Sequence, residues 1–317
     1  MTRIGVVGAG RVGAVLSAAL RAAGHEIVAA AGESTASLDR IDALLPGVRR
    51  AKPTDVARSC DLLLLTVPDD MLENVVTTMV GAGAIRSGQV VCHTSGRHGL
   101  AVLAAATAIG ARPLALHPAM TFTGTVVDLD RLPGCVFGVT ARDEDRALAE
   151  SLVSDMGGVT MWVPEDKRTL YHAGLAHGAN HLVTLVAQAM ELLAASGAED
   201  PAATLRPLLS AALDNALVSG DAALTGPIVR GDVNTVAGHL AEIAATAPGT
   251  LDSYVAMARA TADRAVLDGR LLPIRAARII GLLDQALADA AGSSGAPQAP
   301  DRHRTTQQVR RHRTDRS

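Results

Sequence analysis

The clearest chemistry in the chain lies at its start, where Gly8-Ala9-Gly10-Arg11-Val12-Gly13 spells G-x-G-x-x-G. Glycine at the first position permits a tight turn, and at the second it lets the backbone approach a pyrophosphate. At the third it lets a helix lie close to a strand. The run follows an apolar strand-like stretch, residues 3–7, and opens a helical one, residues 13–23. Free N–H groups at a helix N-terminus would therefore face phosphate oxygens. Gly8, Ala9, Gly10, Arg11, Val12 and Gly13 are accordingly the expected cofactor contacts. NAD remains open, because Glu33 stands 20 positions after Gly13 and suits ribose hydroxyls. Ser34, Ser37 and Arg40 suit a 2′-phosphate instead, and the balance tips to NADP.

Two further loops follow apolar runs, Thr66-Val67-Pro68-Asp69-Asp70 and His93-Thr94-Ser95-Gly96. Ligands of open α/β sheets lie beyond the carboxyl ends of the strands. Val67, Pro68, Ser95 and Gly96 are thus expected to border the dinucleotide, although ordinary turn chemistry accounts for each of them as well. His177 and His181 have the spacing of two metal ligands on one helix face, but only Gly, Ala and Asn lie between them. No Cys or acidic cluster offers a third ligand, so no metal is expected. In Thr225-Gly226-Pro227-Ile228-Val229-Arg230-Gly231-Asp232, Arg230 offers a guanidinium fork for a carboxylate. Asp232 either orients Arg230 or caps the next helix.

The elements that must position these residues divide the chain into three. Strand-length apolar runs at 3–7, 26–31, 62–67, 89–93, 114–117 and 136–140 alternate with helical stretches, which argues for a parallel sheet covered on both faces. From residue 164 the pattern turns helical, with periodic stretches at 170–196, 202–219, 234–247, 249–268 and 274–291. The expected domains are a Rossmann-type α/β unit at 1–163 and an all-helical unit at 164–291. A basic tail without periodicity follows at 292–317 and is expected to be disordered.

The sequence is 48% hydrophobic and 19% charged, with a net charge of −3, which excludes a disordered chain. No uninterrupted apolar run approaches the roughly 20 residues of a membrane span, so no membrane partner is expected. The first residues read as a buried strand and not a signal peptide. The cysteines, Cys60, Cys92 and Cys135, are too scattered for a disulfide framework and suit a reducing cytoplasm. With one Trp, two Tyr and two Phe, base stacking has few instruments, and nucleic acid is an unlikely partner despite the Arg-rich tail.

Six segments, GVVGAGRVG, LLTVPDD, HTSGRHGL, ALHPAMTF, LYHAGLAHGANHLVTLVAQA and ALTGPIVRGDVNTVAGHL, resemble Rossmann-like proteins with a C-terminal domain of unknown function, DUF2520. That family is related to ketopantoate reductase, pyrroline-5-carboxylate reductase and prephenate dehydrogenase, within the 6-phosphogluconate-dehydrogenase-like group. The resemblance implies a helical C-terminal dimerising domain, a homodimer, and an active site in the cleft between domains. It also implies that the helix starting near Leu170 faces the nicotinamide. Ketopantoate reductases carry a lysine there, with asparagines four and eight positions later. Here the eight-residue spacing falls on His172 and Asn180, with Ala176 between them. His172 is the expected replacement for the lysine as proton donor or acceptor, and Asn180 the expected substrate-orienting group. A His-Pro pair lies near the nicotinamide in prephenate dehydrogenases, which makes His117 the second candidate. The resemblance implies an NAD(P)H-dependent oxidoreductase reducing a small anionic keto acid, 2-dehydropantoate first. An imine or prephenate-type acid comes next, and the competing class is an NADP-binding sensor that does not turn over.

Overall fold

A computed structural model of the chain describes residues 1–294. It separates into two compact units, Met1–Leu182 and the described residues from Val183 onward. The segment expected to be a disordered tail lies outside the described residues from position 295 onward. Its first positions instead complete the last helix, which runs to Ser294.

In the first unit the strands are β1 (Arg3–Val7), β2 (Glu26–Ala31), β3 (Leu62–Leu65), β4 (Val90–His93), β5 (Arg112–Pro118), β6 (Val136–Ala141) and β7 (Val159–Trp162). The helices between them are α1 (Arg11–Ala22), α2 (Thr35–Leu44), α3 (Pro53–Ser59), α4 (Asp69–Gly81), α5 (Ala104–Ala108), α6 (Val127–Arg131) and α7 (Arg146–Asp155). The sheet order is β2-β1-β3-β4-β5-β6-β7. The first five strands are mutually parallel. The expectation of a parallel sheet needs correction at β6, which runs antiparallel to β5 while β7 runs parallel to β6. The chain from β5 to β6 makes its return through α6 without crossing back to the amino-terminal end of the sheet, so β6 starts beside Pro118. β7 had no counterpart in the sequence reading. It has only four residues, and its outward Val159 and Met161 leave it half exposed.

Alternation along the strands explains the core. Successive side chains point to opposite faces, so Leu62 and Leu64 join one aliphatic cluster with Ile4, Val6, Val15, Leu16 and Leu116. Leu63 and Leu65 join the other with Val7, Val56, Leu72 and Val76. With both faces covered, β3 reads as an unbroken Leu run.

The long helix α8 (Arg168–Ala195) begins in the first unit and ends in the second. The second unit continues with α9 (Pro201–Ser219), α10 (Pro227–Arg230), α11 (Val233–Thr246), α12 (Leu251–Leu267) and α13 (Pro273–Ser294). Its core uses helical spacing: Val236, Leu240 and Ile243 on α11 meet Leu251, Val255 and Ala258 on α12 and Ile279 and Leu283 on α13. No helix among the described residues is long and apolar enough to cross a membrane.

Candidate active site

The glycine-rich loop leaves β1 at Val7 and turns at Gly8, whose φ of +89° belongs to the left-handed region. A Cβ there would stand 2.8 Å from the Thr66 carbonyl carbon and oxygen. A Cβ on Gly13 would meet the Thr66 Oγ1 at 2.2 Å, so α1 comes close to the end of β3 only because Gly13 lacks a side chain. Thr66 locks this approach by donating its hydroxyl to the Gly8 carbonyl at 2.5 Å. The Gly8 and Ala9 N–H groups both donate to the Ala31 carbonyl, tying the loop to the end of β2.

Gly10 differs from its neighbours. A Cβ there would meet nothing nearer than the Gly8 carbonyl at 3.7 Å, so its approach is open. No side chain caps α1, and no acidic residue lies in its first turn. The N–H groups of Arg11, Val12 and Gly13 have no acceptor within the helix, as at any helix start. An open glycine beside an uncapped, positively polarised helix end fits a dinucleotide pyrophosphate.

The other expected cofactor residues lie along the same carboxyl-terminal edge of the sheet. Val67 packs on the cluster behind β3, and Pro68 precedes α4, its carbonyl accepting from Met71 N–H. Ser34 is the N-cap of α2, where its hydroxyl accepts from Ser37 N–H at 3.1 Å.

The loop after β4 is shaped by His93, which is fully buried. Its Nε2 lies 2.8 Å from the Gly99 carbonyl, and its Nδ1 accepts the Ser95 N–H at 3.1 Å. That pair of bonds requires a neutral ring with the proton on Nε2. Burial pushes the His93 pKa down to about 4, which keeps the ring in this form. The Ser95 hydroxyl accepts from His98 N–H at 3.1 Å.

Gly96 is the point of convergence. A Cβ on it would fall 2.5 Å from His172 Cδ2 and 2.9 Å from His117 Nε2. The two histidine rings meet edge to face, with centroids 5.8 Å apart. His117 Nδ1 lies 2.9 Å from the Tyr171 hydroxyl. Tyr171 can lie across β6 because Gly138 has no side chain: a Cβ there would stand 2.5 Å from the Tyr171 hydroxyl oxygen. Burial first, and then the charges of Arg168 and His172, push the His117 pKa down to about 4. The ring is therefore neutral at pH 7.

Beneath this group lies Arg168, fully buried at the head of α8. It donates to the Ser95 carbonyl at 2.6 Å, the Gly138 carbonyl at 3.2 Å and the Thr140 hydroxyl at 3.1 Å. Just before it, the Glu165 carboxylate accepts from Leu100 and Ala101 N–H at 2.7 and 3.0 Å. Lys167, the one lysine near this helix, is exposed and paired with Asp166 at 2.8 Å.

The sequence reading found His117, His172, Ser95 and Gly96, and the structure brings these four together. It missed Tyr171, Arg168 and His93. The available signal was spacing, since Arg168, Tyr171 and His172 sit at i, i+3 and i+4, one face of a helix. Asn180 lies eight residues after His172, about 12 Å along α8, and is exposed. His177 and His181 are exposed with Nδ1 atoms 2.8 Å apart, and among the described residues no group of three His, Cys, Asp or Glu could hold a metal. In the second unit Arg230 is exposed at the end of α10, and its carbonyl accepts from Arg275 at 3.3 Å. Asp232 caps α11, accepting from Thr235 N–H at 3.2 Å and from its hydroxyl at 2.7 Å.

No curated protein matches the chain by sequence. Among solved structures it is similar to a Bacteroides fragilis protein provisionally classed as an NADP oxidoreductase. That match has a TM-score of 0.71 at 20% identity and covers 83% of this chain and 98% of that one. An Aspergillus terreus reductive aminase, solved with NADPH and ethyl-5-oxohexanoate, matches with a TM-score of 0.55 at 18% identity over 91% and 94% of the two chains. Plasmodium falciparum pyrroline carboxylate reductase, solved with NADP bound, matches with 0.53 at 10% identity over 92% and 97%. At such identities these likenesses establish the fold alone. By sequence profile, residues 1–118 match the Rossmann-like domain and residues 135–261 match a domain of unknown function, DUF2520. The chain is a Rossmann-like protein carrying a DUF2520 domain.

Proposed function

We propose that this chain is an NADPH-dependent reductase of a small carbonyl compound, with a keto acid such as 2-dehydropantoate as the first substrate class and an imine as the second. The observation that carries the reading is the convergence of His117 and His172 on Gly96, on the same sheet edge as the open glycine-rich loop. The NADP and NADPH bound in similarly folded reductases support the choice of cofactor.

The nicotinamide of NADPH, when bound, supplies a hydride. The residues of the chain divide the remaining work. His117, kept neutral by its burial and by Arg168, polarises a substrate oxygen by hydrogen bonding from Nε2 while the Tyr171 hydroxyl satisfies Nδ1. His172, partly open to solvent, is the group that delivers a proton to the same oxygen. Asn180 is assigned to substrate orientation. Replacing His172 by Ala should lower kcat far more than it weakens NADPH binding.

Dimerisation belongs to the same reading. In the second unit the apolar side chains Leu208, Leu217 and Val218 on α9 are 64%, 78% and 87% exposed. Large apolar side chains exposed together on one helix mark a surface that a partner covers, and a second copy is the proposed cover. The three cysteines are free and buried, which suits a cytoplasmic enzyme.

The test is a fluorescence titration with NADPH and with NADH, followed in the same cuvette by ketopantoate and a panel of keto acids and imines. Substrate-dependent loss of the reduced-nicotinamide signal is the expected result. Tight binding without turnover across the panel would replace the reductase by a sensor. Absence of binding by either nucleotide would remove the reading altogether.

A further inference from the structure

Arg168 is the largest fully buried side chain among the described residues, and its guanidinium donates only to neutral acceptors. Its Nε has no hydrogen-bond partner at all. The acidic residues beside it are engaged elsewhere, Glu165 with backbone N–H groups and Asp166 with Lys167. Cys92, also close, does not neutralise it, because burial pushes that thiol up to about 12. A buried cation with no carboxylate in hydrogen-bond contact is costly, and its surroundings must hold it in place. Its three acceptors show what it fixes. Ser95 precedes Gly96, Gly138 is the glycine under Tyr171, and Thr140 anchors β6 to the chain after β7 by donating to the Val163 carbonyl at 2.7 Å.

We propose that Arg168 is the positioning residue of this site, tying the Ser95–Gly96 turn to the first turn of α8 and placing a buried positive charge, bonded only to neutral acceptors, under the His117–Tyr171 pair. The inference rests on the reductase reading for its kinetic part only. The charged and titratable groups facing His117 are Arg168, Tyr171 and His172 from α8 and Asp69 from α4. Those facing Arg168 are Tyr171, Glu165, Cys92 and Asp69. Of these partners of His117, Arg168 is the buried positive charge that most opposes its protonation. Its removal therefore raises the pH at which His117 takes up a proton.

The experiment is an NMR titration of the labelled histidines in wild type, R168M and R168K, with kcat and NADPH affinity measured on the same samples. In R168M, His117 should titrate at least about half a pH unit higher and kcat should fall about tenfold, with the NADPH Kd within about twofold of wild type. R168K keeps the charge without the planar fork. It should hold His117 near its wild-type titration and recover part of kcat. A folded R168M whose His117 titrates as in wild type overturns the proposal. If R168M does not fold, R168Q, which removes the charge but keeps a polar side chain, decides: a His117 titration at least about half a pH unit higher supports the assignment, and an unchanged one overturns it. A wild type with no turnover on any substrate removes the reductase reading, while the His117 titration still tests the role of Arg168.

Discussion

The glycine-rich loop and the His117 group stand on the same edge of one sheet, yet they are built by opposite means. The loop is made by what is missing. Gly8 and Gly13 let β1, α1 and Thr66 crowd together, and Gly10 leaves the way open. The His117 group is made by what is added: the neutral rings of His93 and His117, a phenol and a buried guanidinium, joined from β4, β5, β6 and α8. Backbone shape tolerates no new atoms but is indifferent to pH. A side-chain constellation tolerates small losses of shape but depends on which atoms carry protons.

This contrast can be broken first at Gly13. Gly13→Val places atoms where the Thr66 hydroxyl and the Gly8 carbonyl already stand. It should cost about 3 kcal/mol or more in urea unfolding and abolish dinucleotide binding. Gly10→Ala should fold normally and lose affinity alone. Normal NADPH binding by Gly13→Val would contradict the account of the loop.

Acid attacks the other region. The folded pKa of His93, about 4, lies below the ordinary value of 6.5, so between those values the unfolded chain binds the extra proton. Stability is thus complete above pH 6.5 and falls as the pH drops towards 4, by about 3 kcal/mol for His93. His117 acts in the same direction. Denaturant titrations at pH 7, 5.5 and 4.5 should show this loss, and His93→Gln should flatten it. A slope unchanged in that variant would remove His93 as its source.

Tyr171→Phe sharpens the comparison by deleting one hydrogen bond and little shape. It should lower kcat about tenfold and stability by about 1 kcal/mol, with NADPH affinity unchanged. A matching drop in affinity would mean that Tyr171 acts on the cofactor side. The smallest effect belongs to Ser34→Ala, which removes the cap of α2 at a cost of about 1 kcal/mol or less in thermal unfolding.

The same contrast explains what the sequence disclosed. A loop made of absent side chains is written as closely spaced glycines, so the tight turn at Gly8 and the close approach of α1 at Gly13 could be assigned before any coordinates. The β/α alternation, and the helices of the second unit, followed from periodicity in the same local way. Arg168 could not be read so. It ends the charged run Glu165-Asp166-Lys167-Arg168, and only the fold reveals that its side chain turns inward to Ser95, 73 residues earlier. Tyr171 reaches His117 across 54 residues, and His93 looked like a strand end until its two ring nitrogens found Gly99 and Ser95. The sense of β6 depends on where the chain turns after Pro118, which no local pattern records.

β7, the strand that escaped the sequence reading, has a consequence for handling the protein. As the last strand of the sheet it offers a row of backbone donors and acceptors that no other strand among the described residues takes up, flanked by Val159 and Met161 and with neither Pro nor Lys within it. Natural sheets protect such borders with charge or proline. An unguarded border of this kind is a predicted aggregation site when the protein is concentrated or partly unfolded, and Val159→Lys is expected to suppress it, as light scattering of the two proteins would show.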